Sequence, residues 1–151
     1  MTAPSANRLH RLVYASAASG PLFADRLDRI LLHARAHNTR RGVTGILLFQ
    51  ESRFLQALEG SADELLDLVG RIRRDRTHQN LTILEWGPAD ARVFASTPMA
   101  YVSARNFTEE QRKALLDALD LTGVDAVMPS DEAVTHKRVD AVLKAFEPVP
   151  A

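Results

Sequence analysis

The sequence predicts an α+β fold in which two β-α-β units share one sheet, and three observations predict it. Alternating and helix-periodic apolar stretches follow one another as strand, helix, strand, strand, helix, strand between Arg8 and Trp86. Apolar positions of the second half echo those of the first: Leu27 with Leu65, Ile30 with Leu68, Leu31 with Val69 and Val43 with Leu81 recur at one constant separation. The two halves meet at "ES", a polar turn of hairpin length. Right-handed crossovers then place both helices on one face of the sheet.

Each element has its own warrant. Residues 8–16, "RLHRLVYAS", form the first strand, ended by the small-residue and proline run from Ala17 to Pro21. A helix over 22–38 carries the stripe Phe23, Leu27, Ile30, Leu31 and Ala34. Residues 43–50, "VTGILLFQ", and 52–60, "SRFLQALEG", read as the two arms of the hairpin. Ser61 and Glu64 have capping-box spacing and open a second helix with the stripe Leu65, Leu68, Val69 and Ile72. "LTILEW", 81–86, is the fourth strand, and "RVFASTPMAYV", 92–102, a fifth that Pro98 confines to an edge or a bulge. This is a ferredoxin-like β-α-β-β-α-β plan with an extra strand. Thr108 and Gln111 cap a third helix with Leu115, Leu116 and Leu119, and a fourth over 130–146 carries Val134, Val139, Val142, Leu143 and Phe146. These two helices are expected on the other face of the sheet. The expected organisation is a main domain over 8–103 and a helical extension over 104–147 that packs on it.

Composition narrows the function. A chain of 151 residues with 46% hydrophobic and 25% charged side chains suits one soluble globular domain with its own core. Nineteen basic residues balance nineteen acidic ones, which gives no support for a nucleic-acid or anionic-membrane partner. A local basic cluster stands at Arg71, Arg73, Arg74 and Arg76. With no cysteine, disulfides, thiolate metal sites and cysteine nucleophiles are excluded. The start "MTAPSANRLH" has no apolar signal core, and no run is long enough to span a bilayer. A cytoplasmic location is the expectation.

Several polar residues stand where apolar ones belong. Gln56 lies between Phe54 and Leu58 on the more apolar face of its strand. A buried amide without partners costs about 1–3 kcal/mol, so something must meet it. Asn38 extends the inward stripe of the first helix, and Asp75 that of the second. With Tyr14 from the first strand, these groups can converge between the helices into an apolar-walled pocket with placed donors and acceptors, suited to a flat heteroaromatic ligand. The alternative is local: Asn38 and Asp75 satisfy helix ends, and Gln56 is a paired core amide.

Other constellations are weaker. His33 and His37 have the one-turn spacing of two metal ligands, but no third ligand is evident. Ser16, His78 and Asp75 contain hydrolytic residue types without a nucleophile elbow. No glycine-rich phosphate loop follows a strand, and aromatic residues are too few for a single-strand nucleic-acid platform.

The fragments "LVYAS", "AHNTRRGVTGILLF", "RFLQALEG", "RRDRTHQNLTIL" and "RVFASTPM", in this order and spacing from Leu9 to Val102, resemble the BLUF domain, a blue-light sensor that uses FAD. The short chain with two helices after the domain is similar to stand-alone members. The resemblance implies that Tyr14 is the photoactive electron donor and Gln56 the switch amide between its phenol and the flavin N5/C4=O edge. It implies that Asn38 bonds the ring at its O4 side, that Asp75 and His78 contact the far edge and ribityl chain, and that Ser16 and His37 flank the pocket. Met99 matches the methionine near the glutamine. Light would move an electron and a proton from Tyr14 toward the flavin and leave Gln56 rotated or tautomerised. The red-shifted state would then relax in the dark.

The resemblance implies FAD as cofactor, with FMN or riboflavin as substitutes, no enzymatic activity, an unidentified downstream protein partner and a homo-oligomer. Two positions depart from the family pattern: Thr97 stands where a tryptophan is common, and Thr77 where a basic residue often precedes the histidine. Trp86, in the fourth strand, does not replace that indole. The alternatives are a BLUF-like interaction module without a functional flavin and, from another class, a ferredoxin-like hydrolase or small-molecule binder.

Overall fold

The computed structural model describes residues 8–18, 24–74, 78–95, 98–120 and 137–147. In chain order these form β1 (Leu9–Ala18), α1 (Ala24–Arg41), β2 (Thr44–Gln50), β3 (Arg53–Ser61), α2 (Ala62–Arg74), β4 (His78–Pro88), β5 (Ala100–Tyr101), a 3₁₀ turn (Ala104–Asn106), α3 (Glu109–Leu119) and α4 (Lys137–Ala145). Leu22 and Phe23, expected in the first helix, lie outside the described residues, as does the start of the expected fourth helix from Ser130 to His136.

The sheet order is β4-β1-β3-β2-β5. β1 pairs antiparallel with both β3 and β4, so each β-α-β unit is split by a strand of the other, as the ferredoxin-like plan requires. Tyr14 stands opposite Gln56 in this register, and Leu47 opposite Gln56 on the other side. β2 and β3 are joined by a two-residue turn in which Glu51 and Ser52 both have positive φ, 53° and 62°. Such a turn matches the twist of its strands but suits asparagine and glycine better than these residues. α1 ends at Gly42, whose φ of 68° lets the Val43 N–H return to the Asn38 carbonyl at 3.0 Å.

Each sheet face carries its own core. Leu12, Tyr14, Leu47, Phe54, Leu58 and Ile83 pack with α1 and α2 through Leu31, Leu65 and Leu68. Val13, Ile46, Leu55 and Leu84 pack with α3 and α4 through Leu115, Val139, Val142 and Phe146. Period-two alternation separates the two sets, which is why the expectation of two helices on each face holds. The Thr108–Gln111 capping box forms in both directions, at 2.9 and 3.0 Å, and the Gln111 amide also donates to the Ala145 carbonyl at the end of α4, at 3.1 Å. At α2 the Glu64 N–H donates to Ser61 Oγ at 3.3 Å, while the Glu64 carboxylate turns to Arg41 at 3.2 Å.

The fifth strand needs correction. Among the described residues of the expected 92–102 stretch, Ala100 and Tyr101 alone pair, parallel to Ile46 and Leu47 of β2. The reason is where the N–H groups go: those of Val93 and Phe94 donate to the Glu59 side chain, and Pro98 has none to offer.

Candidate functional site

Between α1 and α2, above β1 and β3, lies a cavity of about 560 Å³. Its apolar walls are Ile30 and Ala34 of α1, Leu68 and Ile72 of α2, and Leu47 of the sheet. Tyr14, Asn38 and Gln56 bring polar atoms to the same cavity. The inward stripes therefore do two jobs, building the core at one end and walls at the other.

Gln56 is the centre of the polar set. The Tyr14 hydroxyl donates to Gln56 Oε1, and Gln56 Nε2 donates to the Met99 sulfur at 3.4 Å. Tyr14 and Met99 are fully buried and Gln56 is 7% exposed. The amide thus holds a donor and an acceptor on one short lever, each matched to a different neighbour. Asn38, 1% exposed, donates its amide N–H to the Pro98 carbonyl at 2.8 Å. Arg35 Nε donates to the Met99 carbonyl at 2.9 Å. α1 and β3 thereby grip the two residues just before β5.

Two arginines and two histidines, Arg29, Arg71, His33 and His37, line the cavity on its helical side. Arg71 donates to His37 Nε2 at 2.7 Å, and the His37 ring stacks on His33 with centroids 5.9 Å apart. Burial, reinforced by Arg41 and Arg71, holds the His37 pKa below its ordinary value. A neutral ring accepting at Nε2 fits an arginine donor, which can only donate.

Of the sequence-selected residues, Tyr14, Asn38, Gln56 and His37 line the cavity, and Met99 meets Gln56 from behind. Ser16 is buried on β1, paired with Phe54, one pleat beyond Tyr14. His78 opens β4 with its backbone opposite Ala18; its side chain, and the whole of Asp75, Arg76, Thr77 and Thr97, lie outside the described residues. No group of three or more metal-ligating side chains is found among the described residues. Arg29, which the sequence analysis did not single out, and Arg71, part of its basic cluster, adjoin the inward positions Ile30 and Ile72 and line the same cavity; that adjacency is the signal that could have found them. Pro98 and Arg35 carried no such signal.

The family model of sensors of blue light using FAD, BLUF, matches residues 9–100. The chain belongs to the BLUF family. As a BLUF protein it is a blue-light flavin sensor, with the α+β architecture of that family. The dark-state structure of BlrB, a BLUF protein, superposes with a TM-score of 0.77 at 25% identity, covering 94% of this chain and 97% of that one. A bacterial light-regulated adenylyl cyclase matches with a TM-score of 0.66 and 30% identity over 74% of this chain and 34% of the cyclase chain. In sequence, photoactivated adenylate cyclase subunit alpha of Euglena gracilis is 34% identical over 110 residues, 73% of this chain. The chain spans only 10% of the length of that relative, and 10% of the beta subunit of the same organism. BLUF domains therefore occur joined to light-regulated effectors. Among the described residues, no helix is long and apolar enough to cross a membrane.

Proposed function

We propose that this BLUF protein holds FAD noncovalently in the cavity between α1 and α2, and that Tyr14 and Gln56 form its photoactive pair. The observation that carries this is the Gln56 amide, bonded to the Tyr14 hydroxyl on one side and the Met99 sulfur on the other. The residues fit the group: flat apolar walls, amides of Asn38 and Gln56 for ring heteroatoms, and Arg29 and Arg71 on the helical side for a phosphate-bearing tail. These arginines support FAD or FMN over riboflavin. Ser16, His37, Asp75 and His78 are the further flavin contacts that the family resemblance implies, with Asp75 and the His78 side chain outside the described residues.

Bound flavin supplies blue-light absorption and an acceptor for an electron and a proton. Tyr14 holds the transferable proton at its hydroxyl, poised on Gln56 Oε1. Its burial excludes water as a competing proton partner. Once that proton moves, the bond that orients the amide is lost, and rotation or tautomerisation of Gln56 exchanges which of its ends donates. Met99 Sδ, a weak acceptor, opposes that exchange only weakly. The electron and proton would then return to Tyr14, leaving a second hydrogen-bond arrangement with no bond to the flavin, which relaxes in the dark.

Residues 8–103 act as the sensing domain and 104–147 as an extension whose helices cover the outer sheet face. The output is a protein contact, with no catalytic activity in this chain, in the cytoplasm and in a homo-oligomer. An absorption spectrum taken in the dark, under blue light and in the dark again tests the reading. A flavin band that shifts red and returns supports it. A bound flavin that does not shift removes Tyr14 and Gln56 from their roles, and a protein that stays colourless when flavin is added leaves the interaction-module alternative.

A further inference from the structure

Residues 92–94, just before the segment that reaches Gln56, are held from two directions. The Val93 N–H donates to one carboxylate oxygen of Glu59 at 2.6 Å and the Phe94 N–H to the other at 2.9 Å. Thr44 Oγ1 donates to the same carboxylate at 3.2 Å, and Arg11 lies 3.5 Å from it. In return the Arg92 guanidinium donates to the carbonyls of Glu59 and Gly42, at 3.0 and 2.8 Å, and to Thr44 Oγ1 at 2.8 Å. Glu59 is 0% exposed. A carboxylate taken out of water is costly unless both oxygens find donors, and here both do. Side chain 59 holds the backbone of 93–94, and side chain 92 holds the backbone of 59.

Glu59 and Gln56 stand on opposite faces of β3, and each grips the same stretch of chain at a different point. Phe94 sits in the outer core with Phe107 and Leu115. Met99 sits in the inner core beside Tyr14. Phe94 and Met99 therefore lie on opposite faces of the sheet, the first with its backbone clamped by Glu59 and the second touched by Gln56. Beyond Met99, β5 is held to β2 by two residue pairs, and the chain then leads through Phe107 to α3.

We propose that Glu59, with Arg92, is the positioning residue that directs the light signal: by fixing residues 92–94 it makes any displacement of Met99 travel forward through Ala100–Tyr101 to Phe107 and α3. A segment anchored at one end and pushed near the other must yield at the free side, and close-packed cores move between discrete arrangements rather than absorbing the push. This inference rests on the light-sensing reading above.

The test is hydrogen exchange of the whole flavin-loaded protein, in the dark and under blue light, read by mass spectrometry. The wild type is expected to show a light-induced exchange difference over residues 102–119. Glu59→Gln keeps the side-chain volume but sets an amide N–H₂ against a backbone N–H. It is expected to keep the red shift, raise exchange at Val93 and Phe94, and lose the light-induced difference over 102–119. Arg92→Ala opens the clamp from the other side, is expected to lose the same difference, and decides the matter if Glu59→Gln does not hold flavin. The inference is overturned by a wild-type difference in Glu59→Gln or Arg92→Ala. It is equally overturned by a wild type that shifts red without any exchange change beyond residue 100. A wild type with no red shift defeats the light-sensing reading itself.

Discussion

Gln56 Nε2 lies 3.4 Å from the sulfur of Met99 while Oε1 of the same amide accepts from the Tyr14 hydroxyl. One side chain thus links the first strand of the sheet to the residue that enters the last. Removing either end of the amide's function separates binding from switching. Gln56→Leu is expected to retain flavin and lose the red shift, since leucine fills the space and bonds to neither partner. Tyr14→Phe is expected to retain flavin and stop the photocycle. Steady-state difference spectra check both, and a normal light response in either variant removes that residue from the switch.

Met99 is expected to set the dark-recovery rate. Met99→Leu conserves volume and should cost less than about 1.5 kcal/mol of stability, yet it deletes the sulfur that accepts from Gln56. Recovery of the dark spectrum after a light pulse should change several-fold while the thermal midpoint changes little. Met99→Ala, at a fully buried site, should instead cost about 2–5 kcal/mol, measured by denaturant unfolding.

Glu85 makes stability depend on pH. Burial pushes its carboxyl up to about 7, opposed by Arg11 and reinforced by Asp140 of α4. Arg11 Nη1 is 4.0 Å away, and Glu85 Oε2 has no hydrogen-bond partner among the described residues. The folded state holds this proton more tightly than the unfolded chain. Its stabilising contribution is therefore fully present below the ordinary value of 4.5 and is lost as pH rises through about 7. Thermal midpoints measured across that window should fall with pH for the wild type, and Glu85→Gln should flatten the slope. An unchanged slope in Glu85→Gln assigns the dependence to other groups.

The Glu51–Ser52 turn is open to improvement. Both residues sit at positive φ, and the exposed Glu51–Arg53 ion pair at 3.3 Å contributes little in compensation. Ser52→Gly, or Glu51→Asn with it, should raise stability, because relief of a left-handed cost of roughly 1–2 kcal/mol exceeds the entropy that glycine adds to the unfolded chain; a higher thermal midpoint with an unchanged absorption spectrum shows it.

The order of elements, the two sheet faces and the capping box at Thr108 were legible in the sequence, because periodicity and capping are properties of neighbouring residues. Gln56 and Asn38 were legible for the same reason: each breaks an apolar stripe, and a stripe shows which face a side chain takes. What that face meets is another matter. Period two put Glu59 on the outer face, but nothing local announced that its carboxylate would take the N–H groups of Val93 and Phe94 and so keep these two residues out of the fifth strand, which starts at Ala100. Pro98 receiving Asn38, Arg35 holding the Met99 carbonyl, and Arg71 resting on His37 are likewise pairings between distant segments. The sequence by itself determined which residues turn inward and in what order the elements come. Only the tertiary structure decided which of them touch, because a hydrogen bond between remote segments depends on how the sheet brings them together, and local periodicity carries no record of that.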